Sequence, residues 1–419
     1  MTQVPVHVGD GANGPVPSLK AIDLADPDLY TAGDGMRVLK LVQQQAPVFW
    51  NRRPNGTGFW ALLRHADALQ VYAQPQSFTS ERGMQVGQEE AAARAAAGRM
   101  LIVTDGSRHT QLREAMNPLL TPATIRRLEE PMRAVVRESL IRSAAHESFD
   151  FVAEVAGPLP LSVICQLLGV PREHWALMID WTRTAFGSSA TDHVISNVEK
   201  SAANANIFGY YTDLLEQRRR EPGGDIISAL IRSSIDGVPL SDEEILLNIN
   251  GLITGGNETT RHASAGAAIA FATFSDQWQR LKAEPGLTRT AVEEVLRWTA
   301  PSLNVMRTAL TDTTVGSQRI RAGERVSIWN PAVNRDPAAF PRADTFDIAR
   351  NPNRHLTFGM GRHLCIGAAL ARFELSVLLS EMARVVQAIE LTGPIKRLRS
   401  NLMWGVDRVP VHIELKARL

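Results

Sequence analysis

Two short stretches of this chain have residue types and spacing that could do chemistry. The first is FGMGRHLCIGAALARFE, residues 358–374, in which a glycine-rich loop carries Cys365 to the entrance of an alanine-rich amphipathic helix. Free N–H groups at a helix N-terminus donate to sulfur and the helix dipole favours negative charge, so this position stabilises thiolate, the metal-ligating form of cysteine. Gly359 and Gly361 let the loop turn tightly, and the bare backbone there and at Gly367 lets a flat cofactor lie against it. A cysteine before a helix can instead be a small buried hydrophobe. Cys165, in the apolar run LSVICQLLGV with no glycine loop or neighbouring base, fits that description, and Cys365 does not. Structural zinc is disfavoured because no second cysteine lies near Cys365.

The second stretch is GGNETT, residues 255–260, a polar interruption in an otherwise apolar helical pattern. Each glycine costs about 1 kcal/mol relative to alanine in a helix, so something must offset it. One reading is a break, with Asn257 or Thr259 capping a new helix. The other is an unbroken helix in which threonine bonds back to a carbonyl one turn earlier and the glycines leave room for a small ligand. Glu258 beside it could then relay protons. A further pair, Glu294 and Arg297 in EEVLRW, has the three-residue spacing that lets side chains meet on one helix face, although such pairs are commonly weak surface contacts.

These residues need elements to hold them. Ser241 and Glu244 make a capping box, after which the pattern runs to about Phe274 with apolar residues on all sides, predicting a central buried helix roughly 50 Å long. The segment from about His109 to Leu296 reads as helices broken at Pro122, Pro158, Gly169 and Pro222. Short strands are expected at Pro47 to Trp50 and Gly58 to Leu63, and again at Val305 to Ala309, Gln318 to Ile328 and Arg408 to Leu415. A mainly α protein with small β-sheets follows, as one large domain over residues 21–419 behind a twenty-residue extension.

Composition excludes several classes. A chain of 419 residues that is 44% hydrophobic buries a large core. Lysine and arginine (45) balance aspartate and glutamate (44), giving no overall electrostatic reason for a nucleic-acid or anionic-membrane partner. Two cysteines make no disulfide framework and fit a reducing, cytoplasmic setting. The N-terminus has neither the charge pattern nor the apolar run of a signal peptide or membrane anchor.

FGMGRHLCIG matches without gap the pattern Phe, Gly, any, Gly, any, His or Arg, any, Cys, any, Gly of cytochromes P-450. The resemblance runs from about Asp23 to the C-terminus. It implies that Cys365 is the proximal ligand of haem b (iron protoporphyrin IX), that Phe358 packs beside the sulfur, and that His363 binds a propionate. GGNET resembles the oxygen-activation motif, which would make Glu258 and Thr259 the proton-delivering pair. Glu294 and Arg297 resemble the ExxR pair. Its usual third partner is arginine or histidine where this chain has Thr345, leaving open whether Arg350 substitutes or the network is smaller. His109 with Arg113, in RHTQLREAM, and Arg307, in NVMRTA, resemble propionate donors, and His355 resembles a position that assists them; a solvated basic face is the alternative.

By the same resemblance the substrate pocket is lined by the loop around Met84 to Met100, by Phe186 to Ala190, by Asn248, Leu252 and Gly255, by Ser302 to Val305 with Leu303, Asn304 and Val305, and by Asn401 to Trp404 with Met403. These mixed walls point to a medium-sized substrate with a few hydrogen-bonding groups, as in natural-product tailoring. The implied activity is insertion of one oxygen atom from O2. Electrons would come from a separate ferredoxin and its reductase, docking near Arg113, Arg126, Arg362 and Arg372. Two other readings are a peroxide-using haem-thiolate enzyme, in which arginine tends to replace the acid–threonine pair, and a non-catalytic haem-binding sensor or carrier.

Overall fold

The structure is a computed structural model, and residues 18–31, 33–186 and 196–417 are described. Its organising element is a 32-residue helix, Asp242–Thr273, about 48 Å long at 1.5 Å per residue. The anticipated capping box starts it: Ser241 Oγ accepts from the Glu244 N–H and the Glu244 side chain takes the Ser241 N–H. The helix runs unbroken through residues 255–260, so neither Asn257 nor Thr259 caps a new one. The two glycines there have different reasons. A Cβ on Gly256 would lie 2.5 Å from Ile164 Cδ1, so this glycine lets the helix Pro158–Leu167 pack closely. A Cβ on Gly255 would meet nothing within 4 Å, so that side of the helix faces open space.

The expected helix breaks are present. Pro122 and Pro158 begin helices at their first turns. Gly169 adopts φ +72° beyond Leu167, and Pro222 follows the helix Asn197–Arg220. A large apolar core gathers the helical part around Ile245, Ile249, Phe271, Val295 and Leu378. Cys165 is buried within it, as expected.

The strands that position the site are β1 (Val48–Arg52), β2 (Gly58–Leu62), β3 (Phe78–Thr79), β4 (Phe149–Asp150), β5 (Asn304–Ala309), β6 (Arg325–Trp329), β7 (Val386–Leu391), β8 (Val406–Arg408) and β9 (Pro410–Leu415). One sheet has the order β1-β2-β6-β5-β3. Its β2–β6 contact is parallel, Val326 opposite Trp60, and joins the start of the chain to its last third. The expected strand Gln318 to Ile328 is two strands separated by a turn in which Gly323 has φ +86°. The C-terminal strand divides likewise into β8 and β9. A second sheet, β7-β9-β4, was not anticipated in its β4 and β7 strands. Of the expected N-terminal extension, residues 1–17 lie outside the described residues, and Leu19–Ala21 forms a 3-10 turn.

Candidate functional site

Cys365 sits in the loop before the helix Ala368–Val385, its N–H donating to Phe358 O at 2.9 Å. Gly359 and Gly361 adopt φ +67° and +74°, a region that favours glycine. Burial pushes the Cys365 thiol up, opposed by the Gly367 N–H and by Arg113 and Arg372. Yet Cys365 keeps water contact. Beside it, the Arg372 guanidinium lies 4.5 Å over the Phe358 ring and pairs with Glu293 at 2.7 Å.

Histidine and arginine side chains gather near this loop, and burial, with His363, Arg113 and Arg362 beside it, holds the His109 imidazole down at about 4. The His109 and His363 rings pack 4.4 Å apart, and His363 Nε2 bonds Asp105 at 2.7 Å. Burial pushes the Asp105 carboxyl up, but hydrogen bonds from His363, Thr79 and the Ser80 N–H outweigh it and hold it at about 2. Arg307 is buried, and its described hydrogen bond goes to the adjoining Met306 carbonyl. Arg113 donates to Leu364 O at 2.7 Å, next to the cysteine. His355 does not join this group through its hydrogen bonds: its Nε2 meets Glu293 at 3.0 Å and its Nδ1 accepts from the Thr357 N–H.

In the central helix, Thr259 Oγ1 donates to Gly255 O at 2.7 Å, the back-bond expected from the sequence. Glu258 is buried and turned toward Arg261, which donates to it, and toward His262, whose Nε2 lies 3.6 Å from Oε2. Burial raises the Glu258 carboxyl, while Arg261 opposes that rise.

The Glu294–Arg297 pair is fully buried and bidentate, with Nε and Nη2 donating at 2.8 and 2.7 Å. Its third partner is Arg350, with Asn353 and the Asp347 N–H completing the set. Thr345 contributes its carbonyl, which accepts from both arginines.

The expected pocket residues separate. Leu252, Gly255 and Thr259 share one face of the central helix at three- and four-residue steps. Asn248 begins that face, but its amide is committed to backbone: its Oδ1 accepts from the Leu101 N–H, and its Nδ2 donates to Arg99 O and Glu244 O. Met100 is thereby held across the helix, its Cε 3.0 Å from where a Gly251 Cβ would stand. Asn304 donates to Asn401 O, and Asn401 donates to Ala25 O. Leu303 turns into the core with Tyr30, Phe59 and Trp329. Val305 and Met403 stay half-buried, and the Met403 backbone forms an isolated antiparallel bridge with Ser302. Residues 187–190 lie outside the described residues.

A cytochrome P450 model matches residues 269–392. Cytochrome P450 126 of Mycobacterium tuberculosis is 37% identical over 409 residues, covering 94% of this chain and 98% of that protein. The chain belongs to the cytochrome P450 family. Linalool 8-monooxygenase of Pseudomonas putida is 33% identical over 93% of this P450 and 98% of its own length. The crystal structure of P450 OxyD, described as involved in biosynthesis of vancomycin-type antibiotics, superposes with TM-score 0.87 at 36% identity, over 94% of this chain and 100% of that one. The protein is therefore a haem-thiolate monooxygenase with the P450 fold.

The residues present fit a haem. Among the described residues no group of three or more His, Cys, Asp or Glu side chains could hold a metal by itself, so an iron at Cys365 needs a ring to complete its ligands. Two polar atoms lack protein partners where the ring's carboxylates would need donors: His109 Nδ1 and the Tyr72 hydroxyl. Tyr72 is buried against the cysteine loop, its hydroxyl 3.6 Å from where a Gly359 Cβ would lie, and Arg307 acts on it electrostatically. Buried polar atoms are normally hydrogen-bonded, so orphans grouped with Arg307 and His363 suit a dianionic ligand.

Sequence reasoning missed Tyr72, Asp105, Arg261, His262 and Asn353. Arg261 and His262 carried a visible signal, their three- and four-residue spacing from Glu258.

Proposed function

We propose that this P450 inserts one oxygen atom of O2 into a C–H bond at an apolar part of a medium-sized organic molecule. The observation that carries the reading is the commitment of the Asn248, Asn304 and Asn401 amides to backbone groups. Three groups expected to give the pocket polar character are thereby used in folding, and Met100, Leu252, Gly255, Val305 and Met403 remain as wall. A substrate's polar groups then belong away from the carbon that reacts. The relative acting on linalool and the structural neighbour in antibiotic biosynthesis both support oxidation of a natural product.

Haem bound at this site supplies activation of dioxygen. Haem b is the form proposed: the one other cysteine, Cys165, is buried in the helical core and offers no thioether attachment. The protein's part is to hold and orient. Cys365 ligates, its sulfur steadied by the Gly367 N–H and the Arg113 and Arg372 charges. His109, Arg113, Arg307 and His363 meet the propionates, with Gly359 and Gly367 giving the ring close approach; His355 supports the loop through Glu293 rather than touching a propionate. Thr259, half-exposed beside Gly255, offers its hydroxyl to the ligand space, and Glu258 holds the proton it passes on. That acid–threonine pair favours O2 over peroxide as oxidant, and a sensor or carrier has no use for it.

Electrons come from a ferredoxin and its reductase, docking near Arg113, Arg126, Arg362 and Arg372; Met360 and Leu364, which flank Arg362 in the chain, are 43% and 42% exposed. Residues 21–419 act as one haem-binding unit. No described helix is long and apolar enough to cross a membrane, and a cytoplasmic location suits the two unpaired cysteines. The test is a ligand panel read by the haem spin-state shift. Apolar terpenoid-sized molecules should shift it at lower concentration than polyhydroxylated ones of equal size, and the reverse order would refute the apolar wall.

A further inference from the structure

The helix Thr288–Thr299 carries two adjacent glutamates with different duties. Glu294 closes the buried arginine set, while Glu293, half-buried, turns toward the cysteine loop. The Thr357 N–H donates to His355 Nδ1 at 3.3 Å, which requires that nitrogen to be unprotonated and puts the neutral ring's proton on Nε2. That Nε2–H donates to Glu293 Oε2 at 3.0 Å. From the helix Ala368–Val385, Arg372 Nε donates to Oε1 at 2.7 Å and Nη2 to Oε2 at 3.1 Å. One carboxylate thus takes donors from two separate segments. Both of its partners pack on the same ring: the Arg372 guanidinium lies 4.5 Å over Phe358, and the His355 ring centroid stands 6.0 Å from it. The Phe358 carbonyl in turn accepts the Cys365 N–H at 2.9 Å. Burial pushes the Glu293 carboxyl up, but hydrogen bonds from His355 and Arg372 outweigh it and hold it at about 2, so the group stays a carboxylate at every working pH.

We propose that Glu293 is a positioning residue for the iron ligand: by fixing Arg372 over Phe358 it sets how much positive charge the Cys365 sulfur feels, and through it the reduction potential of the bound iron. The Arg372 side chain is 41% exposed, and an arginine so placed has many rotamers open to it in water. Two-point bonding of its planar fork to a carboxylate removes that freedom and fixes the direction of the charge. The held guanidinium acts on Cys365 in the sense that favours thiolate. A cation beside the ligand also favours the ferrous state, which carries one more electron, so the clamp raises the potential. Arg113, the other cation acting on the sulfur, is held by the Leu364 carbonyl and does not depend on Glu293.

This rests on the proposed ligation by Cys365, and the test separates the two. Spectroelectrochemical titration of the haem-loaded protein, one electron per iron, gives the potential without turnover. Arg372→Gln should lower it, leaving about threefold less ferrous iron at a fixed applied potential, which is ~30 mV for one electron. Arg372→Lys, which keeps the charge but not the fork, should fall between that variant and the parent. Glu293→Asp keeps the carboxylate charge and shortens its reach by a methylene, so it should lower the potential in the parent and move it no further in the Arg372→Gln background. A glutamate that only braces the loop would lower Tm and leave the potential where it was. A potential unmoved by Arg372→Gln or by Glu293→Asp, or shifts that add in the double variant, overturns the proposal. The thiolate-type band of the reduced CO complex reads the other claim. A parent without that band loses the Cys365 ligation and the clamp with it, whereas a parent that shows the band and fails the potential test loses the clamp alone.

Discussion

Arg350 Nε donates to Glu294 Oε2 at 3.1 Å, on the oxygen that also accepts from Arg297 Nε and Asn353 Nδ2. Arg350 further donates to the carbonyls of Pro341, Arg342 and Thr345. The arginine therefore ties the ion-pair helix Thr288–Thr299 to the loop that leads toward the cysteine. Removing one partner of a buried charge set leaves the rest uncompensated. Arg297→Ala should cost about 3–5 kcal/mol and Arg350→Ala about 1.5–3, since Arg297 still faces Glu294 in the second variant. Urea unfolding of the haem-loaded protein measures both, and an Arg350→Ala variant as stable as the parent would refute the linkage.

Tyr72→Phe removes a buried hydroxyl that has no protein partner. Without a haem propionate to bond, the change would be neutral or stabilising. With one, about 1 kcal/mol is lost, and haem should pass to an acceptor globin roughly fivefold faster. An unchanged transfer rate would take Tyr72 out of the cofactor site.

Glu374, nine residues after Cys365, is buried with Oε2 unpartnered, and burial pushes its carboxyl up to about 8. At pH below the unfolded value of 4.5 both states are protonated and the group does not affect stability. As pH rises from there to about 8, the unfolded chain loses a proton that the folded one keeps, so the parent loses stability. Glu374→Gln should match the parent at pH 4 and exceed it in Tm at pH 8, the gap growing by at most about 1.4 kcal/mol per pH unit. Equal Tm values at pH 8 would mean that the carboxyl finds a partner in the holo protein.

Thr259→Ala should bind haem normally and waste electrons as peroxide, because the side chain lost is the hydroxyl anchored to Gly255 O. Product formed per electron, for any molecule that shifts the spin state, gives the answer. Undiminished coupling would end the assignment of Thr259 to oxygen activation.

What the sequence made legible was local. The cysteine loop, the Ser241–Glu244 box and the Thr259 back-bond are each set by neighbours within a turn or two, so pattern alone located them. The Arg350 link stood in the sequence only as one of two alternatives, because its reach across 56 residues depends on how a loop docks. Asn248, Asn304 and Leu303 read as pocket wall by position, but backbone donors and acceptors of distant segments claimed the amides and a second core claimed the leucine. β7 was missed because Val386 follows the helix directly, with no glycine or proline between them to signal the change.

The most direct test of the account is the absorbance spectrum of the dithionite-reduced, CO-bound protein and of its Cys365→Ala variant. The parent should show the red-shifted Soret band of thiolate-ligated haem, and the variant should lose it, whether or not haem remains bound. A thiolate-type band that survives in Cys365→Ala would contradict the assignment of Cys365 as the iron ligand, and with it the site described above.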